Sequence, residues 1–185
     1  MGRRTEARSR DRAGVGLSVF VSYAHRDERL REELEKHLSP LRRSRIIETW
    51  CDHRITPGTE IDQEIVDSLT TSDLVLLLVS PDFMNSDYCY LREMNCALRR
   101  HRAGQAKVIP IILRPVDWNR TPIGKLLALP RDGKPVTSWS KRDEALLDVA
   151  KGVRRAIEEM QVAGPSKSVA RKKTGIRSVR TQVGA

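Results

Sequence analysis

The chain has 185 residues, a formal net charge of +10, and 39% apolar against 31% charged residues. That length suits one domain with a sizeable core, and no apolar run approaches the roughly 20 residues of a membrane-spanning helix. Residues 1–12 are charged and lack an apolar segment, so no secretory signal is expected. The three cysteines, Cys51, Cys89 and Cys96, are odd in number and form no CxxC pair. They read as reduced thiols of a cytoplasmic protein, and no metal site is expected.

The basicity sits in two arms. Residues 1–14 hold five Arg against two acids, and residues 166–185 hold six Lys or Arg and no acid, which leaves the body between them nearly neutral. The division expected is therefore a disordered arm over 1–14, one folded domain over 15–162, and a basic tail over 163–185. That tail reads either as a native linker or as a truncation remnant. Such arms can touch nucleic acid or an anionic membrane. They carry none of the interleaved aromatics of a single-strand stacking platform, so solvated tails are the favoured reading.

Leu17 to Ser22 (LSVFVS) predicts a buried strand, followed by the loop Tyr23 to Asp27. Leu30, Leu34, Leu38 and Leu41 recur at helical spacing among charges and predict an amphipathic helix from Glu28. Ile46 to Cys51 predicts a second strand, and Asp52 to Gly58 a loop whose Pro57-Gly58 is a turn signal. Thr59 suits an N-cap for a helix carrying Ile61, Ile65 and Leu69 on one face.

Leu74 to Val79 (LVLLLV) is an unbroken apolar run, the pattern of a strand buried on both faces of a parallel sheet. Ser80-Pro81 ends it. A helix then carries Leu91, Met94 and Leu98 on one stripe and Cys89, Glu93 and Ala97 on another. Glu93 falls just past the carboxyl end of the most buried strand, at the rim where open α/β sheets bind ligands. Taken alone, a glutamate at such a place reads first as a solvated helix residue.

Lys107 to Leu113 predicts a fourth strand, with Pro110 marking weakened pairing or a place near an edge. Arg114 to Lys134 reads as a Pro-rich loop with a short helix around Ile123 to Leu129. Pro135 to Trp139 suggests a brief fifth strand. Glu144 to Met160 predicts a long helix with Leu147, Ala150, Val153 and Ile157 facing in, closed by Gly164-Pro165. Strands alternating with helices predict a parallel, doubly wound α/β sheet. The first loop lacks both GxGxxG and GxxxxGK[ST], and no GxSxG occurs, which excludes a Rossmann dinucleotide loop, a P-loop and an α/β-hydrolase elbow.

Three blocks together resemble a Toll/interleukin-1 receptor (TIR) domain of the prokaryotic, NAD+-cleaving type. FVSYAHRD (Phe20 to Asp27) is similar to the first family box. WCDHRITPG (Trp50 to Gly58) is similar to the second box and its mobile loop, with His53-Arg54 where the family usually has Arg-Asp. LVSPDFMNSDYCYLREMNCAL (Leu78 to Leu98) is similar to the third strand and glutamate helix, with Cys89 where many active members have Trp. The family's Phe-Trp third box has its nearest match in Ser138-Trp139.

The resemblance covers about residues 15–160. It implies a flavodoxin-like five-stranded parallel sheet with helices on both faces, and an NAD+ glycohydrolase that breaks the nicotinamide–ribose bond. Glu93 matches the family's catalytic glutamate. NAD+ is then substrate, and no cofactor is expected. Around it, Tyr23 and Arg26 are expected to flank the ribose and pyrophosphate. Trp50 or Phe83 would stack on the base, with Ser80 and Cys89 as further substrate-binding positions. The bland alternatives are Phe83 and Trp50 as core aromatics and Arg26 as a solvated charge.

Nicotinamide in NAD+ is already a cationic leaving group and needs no general acid. Positive charge develops on the ribose as the bond breaks, and a carboxylate there stabilises it. The resemblance also implies self-association through TIR domains, with Asp52, His53, Arg54, Pro57 and Gly58 as the assembly loop, a sensor domain or partner protein, and a place in bacterial antiphage defence. The alternative function is a non-catalytic TIR–TIR interaction module. The product stays open between ADP-ribose, a cyclic isomer and a base-exchange adduct.

Overall fold

A computed structural model describes residues 16–51, 61–86 and 93–162 of the chain. The arms over 1–14 and 163–185, the loop Asp52 to Gly58, Thr59, Cys89 and Leu91 lie outside the described residues.

Among the described residues four parallel strands make the sheet: β1 (Leu17–Ser22), β2 (Ile47–Cys51), β3 (Leu74–Val79) and β4 (Lys107–Ile112), in the order β2-β1-β3-β4. Register is set by Val19 opposite Leu74, Ser22 opposite Leu77, and Leu74 to Val79 opposite Lys107 to Ile112. The helices are α1 (Glu28–Arg43), α2 (Ile61–Thr71), α3 (Pro81–Asn85), α4 (Asn95–Arg102) and α5 (Arg142–Val162).

Strand period sorts the core into two layers. Val19, Val21, Leu74, Leu76, Leu78, Ile109 and Ile111 face α1 and α5, where Leu30, Leu34, Leu38, Leu41, Val149 and Val153 meet them. Phe20, Val75, Leu77, Val79, Val108 and Ile112 face the other way, against Leu69 of α2, Phe83 of α3, and Ala97 and Leu98 of α4. All six residues of β3 are fully buried, which explains why that run shows no polar alternation.

The four leucines of α1 are buried as predicted. On α5 the buried stripe is Ala145, Leu146, Val149, Val153, Ala156 and Ile157, whereas Leu147 is 47% exposed. The apolar pair Leu146-Leu147 lets either residue begin a stripe, and α5 is rotated to bury the first.

The predicted fifth strand is corrected. Val136–Ser138 forms a 3-10 turn, and the backbone beside β4 is Leu129, which makes an isolated parallel bridge to Ile111. The Leu129 N–H donates to the Pro110 carbonyl, and the Ile112 N–H donates to the Leu129 carbonyl. The pairing stops at this single bridge, and Pro130 follows. On α5, Gly152 leaves the space that Leu129 fills, since a Cβ there would sit 2.5 Å from its Cδ2. The predicted helix around Ile123 to Leu129 is likewise shorter, a 3-10 turn over Pro122–Lys125.

Pro110 falls where the sequence placed it. Its carbonyl points toward Leu129, so its nitrogen points that way too, and the ladder to β3 loses no hydrogen bond. No described helix is long and apolar enough to cross a membrane.

Candidate functional site

The chain steps from β1 to β2 on one side, then crosses back to β3 on the other. The reversal lies between β1 and β3, and outside their carboxyl ends is where a doubly wound sheet opens a crevice. Ser22 ends β1 and Ser80 follows β3. Both are fully buried, and both hydroxyls donate to carboxylates.

Ser22 shares the parity of Phe20 and so points to the α2–α4 side of the sheet. There its Oγ donates to Oε2 of Glu93. Glu93 is 1% exposed and lies with Met94 in a π-helical turn leading into α4. Met94 is fully buried beside Phe83 and Ala97, which fixes the turn against the sheet.

A second cluster stands beside the first. Asp27, 1% exposed, accepts from Ser80 Oγ on one oxygen and from Arg114 Nε, at 2.8 Å, on the other. Ser80 in turn accepts the Phe83 N–H at 3.1 Å, capping α3. The other arm of the Arg114 guanidinium donates to Asp82, whose second oxygen lies 3.7 Å from Arg26 Nε. The hydrogen bond from Arg114 holds the Asp82 carboxyl below the usual carboxylate range, and Arg26 adds to the effect. The same bond to Asp82, with Asp27 assisting, raises the Arg114 pKa above its ordinary value.

The predicted site residues separate into groups. Glu93 and Ser80 lie buried at the crevice, but the Ser80 hydroxyl is committed to Asp27 and the α3 cap. Phe83 is fully buried in the core below. Tyr23, one residue after Ser22, points to the opposite side of the sheet, 5% exposed. There the Arg31 guanidinium sits 5.4 Å from its ring centre, and Arg31 is itself paired with Glu35 at 3.0 Å.

Arg26 is exposed at the rim, 82% for its side chain. Trp50 is placed by its backbone on β2 opposite Val19. Cys89 and the assembly loop, Asp52, His53, Arg54, Pro57 and Gly58, lie outside the described residues. Sequence reasoning missed Ser22, Asp27 and Arg114 as site residues. The first two stand inside the quoted first block. Arg114 stands two residues past the end of β4, on the carboxyl rim where open α/β sheets bind ligands.

The family model of the TIR domain matches residues 19–148. The chain belongs to the TIR domain family. This TIR domain is 58% identical over 139 residues to the uncharacterized protein y4lF of Sinorhizobium fredii, a match spanning 75% of this chain and 43% of that protein. The chain thus spans less than half the length of that relative. It is also similar in fold to the TIR domain of the Toll-related receptor TRR-2 from Hydra magnipapillata, with a TM-score of 0.53 and 22% identity. That similarity covers 77% of this chain and 98% of the receptor domain. The TIR family and fold expected from the three sequence blocks are both shown.

Proposed function

We propose that this TIR domain is an NAD+ glycohydrolase that breaks the nicotinamide–ribose bond with Glu93 as its catalytic residue. The observation that carries the reading is the buried Ser22–Glu93 contact at the switch point between β1 and β3. A carboxylate held by a fixed hydroxyl in a low-dielectric crevice stabilises developing ribose charge without reorganising at the moment of reaction. Nicotinamide leaves as a neutral base, so a single carboxylate suffices for the departure step. Arg26, exposed beside Asp82, is the cation proposed to meet the pyrophosphate.

Glu93 is covered in the single chain, which suits an enzyme switched on by association. TIR domains associate with other TIR domains, and here Asp52 to Gly58 is the proposed assembly loop. The S. fredii relative extends well beyond the matched segment, leaving room for a sensor in a longer protein of this kind. A cytoplasmic effector of antiphage defence is the setting proposed.

The same burial favours a second reading, a TIR–TIR interaction module in which Glu93 only braces the fold. Nicotinamide release from NAD+, followed across a wide range of protein concentration with products resolved by mass, separates the two. The gated enzyme gives a rate per molecule that rises steeply with concentration, and Gly58→Pro or Arg54→Glu suppresses the rise. A flat rate with silent substitutions removes the gating, and no release at any concentration leaves the interaction module.

A further inference from the structure

We propose that Arg114 is the positioning residue of the site, a single guanidinium that fastens together the two loops between which the Ser22–Glu93 pair is held. The inference deepens the NAD+-cleaving reading and rests on it for its kinetic consequences. Its structural content stands on the geometry alone.

Arg114 bridges two carboxylates on different segments of the rim, one after β1 and one after β3. Asp27 closes the loop after β1, and its N–H donates to the Ala24 carbonyl at 2.8 Å, so the six residues from Ser22 to Asp27 form one short tether. Ser22, at the start of that tether, is the donor to Glu93. Asp82 lies in the first turn of α3, after β3. One residue on, Phe83 packs in the same buried cluster as Met94, the residue following Glu93. Arg114 therefore acts on the hydroxyl side of the contact through Asp27 and on the carboxylate side through Asp82, Phe83 and Met94.

The anchor itself is fixed. Arg114 follows the fully buried Leu113, whose N–H donates to the Val79 carbonyl at 2.8 Å and whose carbonyl accepts from Thr137 at 3.1 Å. Ser80 closes the circuit by donating to Asp27 while capping α3. Arginine is the side chain for this task, because two donors of its planar fork meet two acceptors at a set angle. A lysine keeps the charge but is a point donor on a flexible stem.

Two variants test the assignment, Arg114→Lys and Asp82→Asn. The second releases only the partly exposed end of the clamp and leaves the buried Asp27–Arg114 pair intact, so it reports even where the first fails to fold. Neither residue is placed on the substrate. The carbon resonance of the Glu93 carboxyl is read in the full chain labelled at glutamate Cδ, assigned by its loss in Glu93→Gln. Glu159, paired with Lys107 at 2.7 Å on the other side of the sheet, is the control.

The clamp predicts that the Glu93 resonance moves or splits in folded variants while Glu159 stays. It also predicts that kcat for nicotinamide release falls about tenfold or more with KM nearly constant, because misplacing a reacting group by an ångström costs about 10²-fold. An unmoved Glu93 resonance in a folded variant overturns the proposal. If the parent cleaves no NAD+, the glycohydrolase reading fails by itself, and the Glu93 resonance still decides the clamp either way.

Discussion

The hydroxyl of Ser22, the last residue of β1, donates to the Glu93 carboxylate 71 residues further along the chain, and both groups are buried. A hydrogen bond to a charged group contributes about 1.5–3 kcal/mol. Ser22→Ala is therefore expected to lower kcat/KM for NAD+ cleavage by about tenfold or more, with the circular dichroism spectrum unchanged. Parent-level turnover by the folded variant would mean that the contact does not serve the chemistry.

Much of this arrangement is legible in the chain, and what is not has a physical reason. The LVLLLV run announces a strand buried on both faces, and Glu93 thirteen positions past Ser80 reads as a rim residue from spacing alone. The contacts made by Ser22, Asp27 and Arg114 are hidden because they join residues 71, 53 and 87 positions apart. Local periodicity carries no information at that range.

Facing is hidden for a different cause. Alternation in LSVFVS sets Ser22 and Tyr23 on opposite faces, but with Val19 and Val21 on one and Phe20 on the other it does not say which face meets Glu93. The resemblance puts Tyr23 among the substrate contacts, whereas its ring lies under Arg31 on the other side of the sheet. In the sequence Pro135 to Trp139 reads as a brief fifth strand. The pairing beside β4 falls instead to Leu129, whose side chain fits the notch left by Gly152.

Asp82 gives stability a pH dependence with a definite sign. Its carboxyl titrates below the usual range in the folded chain because Arg114 donates to it. Its contribution is therefore present above the unfolded-state value of about 4 and is lost as pH falls through the lower folded value. The melting-temperature gap between parent and Asp82→Asn should narrow as pH falls from about 6 to about 2. A gap constant over that window would show that the ion pair adds nothing to stability.

Arg100 is expected to matter for the fold rather than the site. From α4 its guanidinium donates to the Leu69 carbonyl, to the Ser72 carbonyl at 2.8 Å, and to the Gln105 carbonyl at 3.3 Å. It thereby ties the end of α2 and the turn before β3 to the turn after α4, and its partial burial lowers its pKa from the ordinary value. Arg100→Ala strands those carbonyls and should cost about 2 kcal/mol, a drop of about 4–8 °C in melting temperature. Arg100→Lys should recover only part of the loss, since an ammonium lacks the fork. Full recovery by lysine in thermal melts would reduce the role to charge.

Glu93 is the proposed catalytic group. Nicotinamide release from NAD+ by the parent and by Glu93→Gln, at matched high protein concentration and with thermal melts alongside, puts it to the test. The expected result is measurable release by the parent and a rate lower by about 10²–10³ in the variant, both chains melting within a few degrees of each other. A folded parent that releases no nicotinamide, or a Glu93→Gln chain that keeps pace with it, would contradict the assignment.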